Sequence, residues 1–306
     1  MFDAIHKPSP SSIIPSNLVK SLALFVFLSQ GGSFLAAGDA VDPASGDAIP
    51  SVPEIASQGY KLAFSDEFNG TSLDETKWNY RIDSKGHSTQ LPANVTVSDG
   101  CLHVAVKKES AQGKPYTAGG IISKAEFMHG YYEARFKVPA GKGWHTSFYT
   151  EHYDGKDTQK TPGREEIDIC EQDSSSGKAW GDNYTLHDWG SKLTPKGVEI
   201  PAPKLPAGHA KPNIPQGDLH DFHIWGMEFT PTVVNFYFDG QLRGSVDATL
   251  FKHTPMSIFL TSIAWGGPPD DSKLPSEAQF DYVRFFTKPE PTQLQASPSQ
   301  AATPQP

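Results

Sequence analysis

Between about residues 55 and 287, apolar and polar positions alternate with a period of two along most segments. That period places successive side chains on opposite faces of an extended strand. Strands are predicted over 93–97, 102–106, 130–138, 144–150, 166–171, 222–229, 233–238, 256–263 and 279–286. Ser98-Asp99-Gly100 reads as a turn, and Asp239-Gly240 as the tip of a hairpin. No segment carries the three-to-four spacing of an amphipathic helix. Strands without helices must bury their apolar faces against a second sheet. The expected fold is therefore all-β, a two-sheet antiparallel β-sandwich.

The two ends break this pattern. Lys20 precedes an apolar run at 22–28, and small residues follow at Ala36, Ala37, Gly38 and Ala40. This reads as an export signal, and the run is too short to cross a bilayer, which takes about 20 residues. Residues 1–50 are predicted to be signal and linker, 51–287 one domain, and 288–306 a disordered tail of Pro, Gln, Ser and Ala. The protein is expected to be secreted, with no membrane partner. Six prolines (Pro195, Pro201, Pro203, Pro206, Pro212 and Pro215) stiffen 191–217, which reads equally as a surface insertion or a cleft-edge loop.

Composition narrows the partner. The 27 glycines and 26 prolines suit many turns. A net charge of −9 argues against nucleic acid, whose phosphates need a basic face. The 6 Trp, 10 Tyr and 18 Phe supply flat apolar surfaces on which the C–H faces of sugar rings pack. Cys101 and Cys170 have no zinc spacing, and their pairing as a disulfide is left open. Asn69, Asn94 and Asn183 head Asn-x-Thr triplets that read as glycosylation acceptors.

The sharpest chemical signal is Glu165-Glu166-Ile167-Asp168-Ile169-Cys170-Glu171. Strict alternation puts Glu166 and Asp168 on one face and Glu171 on the other. One extra residue at Ile169-Cys170, a β-bulge, returns Glu171 to the first face. Three acids gathered there suit a retaining glycosidase, whose two working carboxyl groups stand about 5–5.5 Å apart. Glu166 would be the nucleophile and Glu171 the acid, then the base. Asp168 would hydrogen-bond Glu166, and its charge would help keep Glu171 protonated. A solvated acidic strand and a calcium site are the other readings of the same residues.

The run Glu166 to Glu171 resembles the E-x-D-x-x-E signature of glycoside hydrolase family 16 in its bulged, laminarinase- and agarase-like form. Several landmarks extend the likeness over about 55–287. Phe64-Ser65-Asp66-Glu67-Phe68-Asn69-Gly70 followed by Trp78 is similar to the opening D-E-F-x-G strand, and 119–135 to a strand pair ending x-G-x-x-E-x-R. Residues 221–240 resemble an F-H…W…D-G hairpin, and Asp281-Tyr282-Val283-Arg284 the closing D-Y-V-R strand. Two departures stand out. Trp144-His145-Thr146-Ser147-Phe148 replaces W-P-x-F-W, and Phe229 stands where a tryptophan is usual.

The resemblance implies a concanavalin-like jelly roll with a concave cleft. It also implies a retaining endo-β-glycanase acting on a polysaccharide, as a monomer and without a catalytic cofactor. A β-1,3- or mixed-linked glucan is the default substrate. A β-galactan of agarase or carrageenase type is the alternative, and a non-catalytic carbohydrate-binding jelly roll is the reading from another class. Trp144 and Phe148 would bind sugar or pack in the core, and His187, Trp189 and Trp265 are further substrate-binding candidates. His145, of opposite parity to Trp144, ranks last. One structural calcium is implied on the convex side, held by Asp281 with backbone oxygens near Glu67 and Gly100.

Overall fold

The computed structural model describes residues 48–152, 165–173, 220–249, 251 and 253–288, with short strands at 180–181, 185–188, 192–193 and 199–200. The expected signal, most of 191–217, and the tail beyond Lys288 lie outside the described residues. All that is described belongs to one compact unit, Val41–Pro306.

In chain order the strands are β1 (Lys61–Asp66), β2 (Trp78–Tyr80), β3 (Ser84–Lys85), β4 (Ser88–Gln90), β5 (Val95–Ser98), β6 (Cys101–Val106), β7 (Tyr116–Phe127), β8 (Gly130–Lys137), β9 (Trp144–Glu151) and β10 (Glu165–Asp173). There follow β11 (Trp180–Gly181), β12 (Thr185–Asp188), β13 (Lys192–Leu193), β14 (Glu199–Ile200), β15 (His223–Phe229), β16 (Val233–Phe238), β17 (Gln241–Asp247), β18 (Met256–Ala264) and β19 (Ser276–Thr287). The α-helix among the described residues is one turn, α1 (Pro53–Ala56).

Eight strands form one sheet in the order β17-β16-β15-β8-β19-β6-β5, with β1 also on β19. Nine form the other in the order β11-β10-β9-β18-β7-β4-β3, with β12 on β10 and β2 on β7. The core lies between them. Phe136, Met227, Phe236 and Phe280 of the first sheet are buried in one cluster with Ile121, Phe148, Ile167 and Leu260 of the second. This is the two-sheet jelly roll that period-two alternation requires. Alternate residues of each sheet point to the face turned away from the core.

The outer face of the eight-stranded sheet is covered by the N-terminal segment. Ile55 of α1, with Val52 and Tyr60, packs on Tyr131, Tyr237 and Phe286. Beside this layer Arg284 makes a two-pronged contact with Glu67 at 2.8 and 2.9 Å and lies 3.5 Å from the fully buried Glu133. Its guanidinium also sits 3.8 Å from the Tyr282 ring centre. Glu133 accepts the Ser51 N–H at 2.9 Å, so the arginine cluster ties the N-terminal segment to β8 and β19.

Two readings of single residues change. Asn94 is buried and donates its side-chain amide to the Ala118 carbonyl, so it is closed to a glycan; Asn69 is exposed. Cys101 and Cys170 are both buried, one in each sheet, and no disulfide joins them.

Replacing Arg284 with Met leaves Glu67 and Glu133 as poorly solvated acids without their shared cation. The expected loss is about 3 kcal/mol. Urea unfolding followed by tryptophan fluorescence measures it, and a loss under 1 kcal/mol would remove the cluster from the stabilising features of the fold.

Candidate active site

The site is built by the register between β9 and β10. Glu166 lies opposite Glu151, Ile167 opposite Thr150 and Asp168 opposite Tyr149. The pairing then skips a residue, so that Cys170 faces Phe148 and Glu171 faces Ser147. Ile169 and Cys170 are both buried in the core cluster, although adjacent residues of a regular strand point to opposite faces. The expected bulge is present. Its local cause is chemical. Two successive apolar side chains can both enter the core only if the pleat is interrupted, and an uninterrupted pleat would drive Glu171 into that core at a desolvation penalty of several kcal/mol.

Glu166, Asp168 and Glu171 therefore share the outer face of the nine-stranded sheet with Ser147, Tyr149 and Glu151. Their exposures are graded. Asp168 is fully buried, Glu166 is 8 % exposed, and the Glu171 side chain is 24 % exposed. Burial, then the charges of Glu166 and Glu171 and the hydrogen bond to Glu166, push the Asp168 carboxyl well above the ordinary aspartate range. These surroundings favour the protonated form of Asp168, and so disfavour the charged Asp168 expected to hold the proton on Glu171.

Glu171 has a partner that alternation in β9 could have revealed. His145 Nε2 lies 3.0 Å from Glu171 Oε1. His145 precedes Ser147 by two residues on the same face, so the contact is a cross-strand diagonal. The His145 ring is 6.3 Å from that of Trp265, which is 39 % exposed just after β18. The hairpin of β3 and β4 also closes on this indole. The Lys85 ammonium sits 5.9 Å from the ring centre. Gly86 comes so near that a Cβ there would lie 2.4 Å from the Ala264 carbonyl oxygen and 2.7 Å from a Trp265 ring carbon. Further along the same face Tyr149 stacks on Phe259 at 4.6 Å, and Arg81, paired with Asp83 at 2.7 Å, reaches the Tyr149 hydroxyl at 3.4 Å.

A carboxylate trio beside an exposed indole, on the outer face of a jelly-roll sheet, can be compared with known proteins. The family model described as "Beta-porphyranase A-D, GH16 domain" matches residues 61–288. The chain belongs to glycoside hydrolase family 16. Members of family 16 are endo-acting, retaining O-glycosyl hydrolases. Beta-porphyranase E of Zobellia galactanivorans is 24% identical over 74% of this chain and 86% of the relative. Kappa-carrageenase of Pseudoalteromonas carrageenovora is 29% identical over 73% of this chain and 63% of the relative. The laminarinase catalytic domain of Thermotoga maritima superposes with a TM-score of 0.60 over 76% of this chain and all of that domain, at 24% identity, a likeness in fold.

Within this family 16 frame, several expected site residues move. Trp144 and Phe148 are fully buried, Phe148 in the main core and Trp144 beside Val106, Tyr116 and Ile263 with its indole N–H on the Ala140 carbonyl. They are not substrate platforms, because even-numbered positions of β9 face the other sheet. Phe229 is likewise a core residue, so neither departure from the family's tryptophans touches the cleft. His187 lies on β12 with its backbone opposite Glu166, and the rest of that residue falls outside the described parts, as does all of Trp189. Trp265 is the expected aromatic that the structure brings to the carboxylates. Glu165 points away from the trio and accepts the Thr254 N–H and hydroxyl at 2.7 and 2.6 Å.

Of the residues named for a structural calcium, Asp281 has its carboxylate paired with Arg135, and the Glu67 side chain is paired with Arg284. Gly100, like Asp99 before it, has positive φ in the turn between β5 and β6. Asp66, in the same opening motif, accepts the Trp78 indole N–H at 2.7 Å and the Phe68 N–H at 3.0 Å, which is a structural use.

A carboxyl group raised in the folded state binds a proton that the unfolded chain releases above about pH 4. The stability it contributes is complete below that pH and is lost as pH rises, by up to about 1.4 kcal/mol per pH unit for one proton. Asp168→Asn does not titrate. Its melting temperature relative to the unsubstituted protein is expected to climb between pH 4 and pH 8 in scanning calorimetry. A flat or falling difference would contradict a neutral Asp168.

Proposed function

We propose that the chain cleaves internal β-glycosidic bonds of a polysaccharide by double displacement, with Glu166 as nucleophile and Glu171 as acid, then base. The observation that carries this reading is the Ile169 bulge, which gathers Glu166, Asp168 and Glu171 on one face. Glu166 attacks the anomeric carbon while Glu171 gives its proton to the departing oxygen. Glu171 then takes a proton from the water that releases the glycosyl-enzyme. Asp168, neutral and hydrogen-bonded to Glu166, fixes the nucleophile without adding a third negative charge. Trp265 offers its face to a sugar ring on the Glu171 side. The apolar run after Lys20 supports action outside the cell.

A β-1,3- or mixed-linked glucan remains the default backbone. A β-galactan is the second reading, favoured by the porphyranase-type family match over 61–288. Phe148 and Phe229, where family members often carry tryptophan, are core residues and bear on neither backbone.

A panel of laminarin, mixed-linked β-glucan, agarose, porphyran and κ-carrageenan, followed by reducing-end release, separates the two backbones. On the substrate cleaved, proton NMR should show the β-anomer first. Glu166→Gln and Glu171→Gln should each lose about a thousandfold or more in rate. An α-anomer first, or a Glu166→Gln variant at full rate, would refute the mechanism. Binding without cleavage across the panel would instead favour the non-catalytic jelly roll.

A further inference from the structure

We propose that His145 is a positioning residue for Glu171, so that the acid/base of this chain works as an imidazole–carboxyl pair. The inference rests on Glu171 being the acid and base. It starts from the 3.0 Å contact of His145 Nε2 with Glu171 Oε1. The histidine stands where the W-P-x-F-W pattern has proline, and proline has no side-chain donor to offer. The contact is therefore a feature of this chain beyond the shared carboxylate signature.

We assign the Nε2–H of His145 to this contact, so that it donates to Glu171 Oε1. With Oε1 accepting that bond, protonated Glu171 carries its hydrogen on Oε2. The Oε2 proton passes to the glycosidic oxygen as the bond from that oxygen to the anomeric carbon breaks and Glu166 forms the new one. In the second half-reaction Oε2 takes a proton from the attacking water, and the bond to Glu166 breaks. His145 ends each step in the state in which it began. A tilted ring contact with Trp265, 6.3 Å between centres, holds the imidazole between the sugar platform and the acid.

The test separates proton delivery from mere structure by the leaving group. The two substrates are the polysaccharide the protein cleaves and the 2,4-dinitrophenyl β-glycoside of its repeating disaccharide, whose phenolate departs without protonation. His145→Phe keeps a ring against Trp265 and removes the donor. It should lower kcat/KM on the polysaccharide by about ten- to a hundredfold and on the aryl glycoside by less than about twofold. His145→Gln, which keeps an N–H near the Nε2 position, should recover most of the loss. Glu171→Gln is the control and should show the same contrast in a larger form. If Glu171→Gln loses both substrates alike, the assignment of Glu171 fails. If Glu171→Gln shows the contrast but His145→Phe loses both alike, or neither, His145 does not act through Glu171.

Discussion

Everything at the site depends on the single-residue offset between β9 and β10. Upstream of it the two strands pair one to one, Glu166 to Glu151 and Asp168 to Tyr149. Downstream the partner set has shifted, and Glu171 meets Ser147. The offset is held in place by hydrophobic burial, since Ile169 and Cys170 are both sealed among Ile167, Phe148 and their neighbours. The geometry of an acid–base apparatus is therefore fixed from the opposite side of the sheet, by apolar side chains that never meet a substrate. The eight-stranded sheet uses a related irregularity in β19, where Phe280 pairs with Phe136 and Tyr282 with Arg135.

Burial divides the labour among three chemically similar acids. Asp168 is sealed with its carboxyl pushed toward the protonated form, Glu166 is nearly sealed, and Glu171 reaches solvent. Three ionised carboxylates in so small a space would repel one another strongly. One held neutral by its surroundings reduces that repulsion and turns a neighbour into a hydrogen-bond donor. The same logic, with opposite chemistry, runs on the far side of the fold. There Arg284 sits among Glu67, Glu133 and Tyr282, and buried charge is balanced by a cation.

The strand pattern was legible in the sequence because a period of two survives wherever one sheet face is buried. The nine strands expected from alternation all exist, with ends displaced by a few residues. The bulge was legible too, because Ile169-Cys170 interrupts the rhythm of acids. What alternation could not supply was the absolute facing of β9. Choosing Trp144 as the cleft residue made His145 the odd one out, whereas pairing Cys170 with Phe148 shows that the even positions face the core. Two apolar neighbours on β10 held the needed reference. The ion pairs of Glu67 and Asp281 were illegible for another reason, since a sequence shows acids without showing which arginines lie beside them after folding.

Gly86 meets the Ala264 carbonyl and the Trp265 ring with no side chain between them. The seat of the hairpin on this indole is consequently set by main chain. Lys85 can be exchanged for another side chain without changing how closely the backbone rides over the ring.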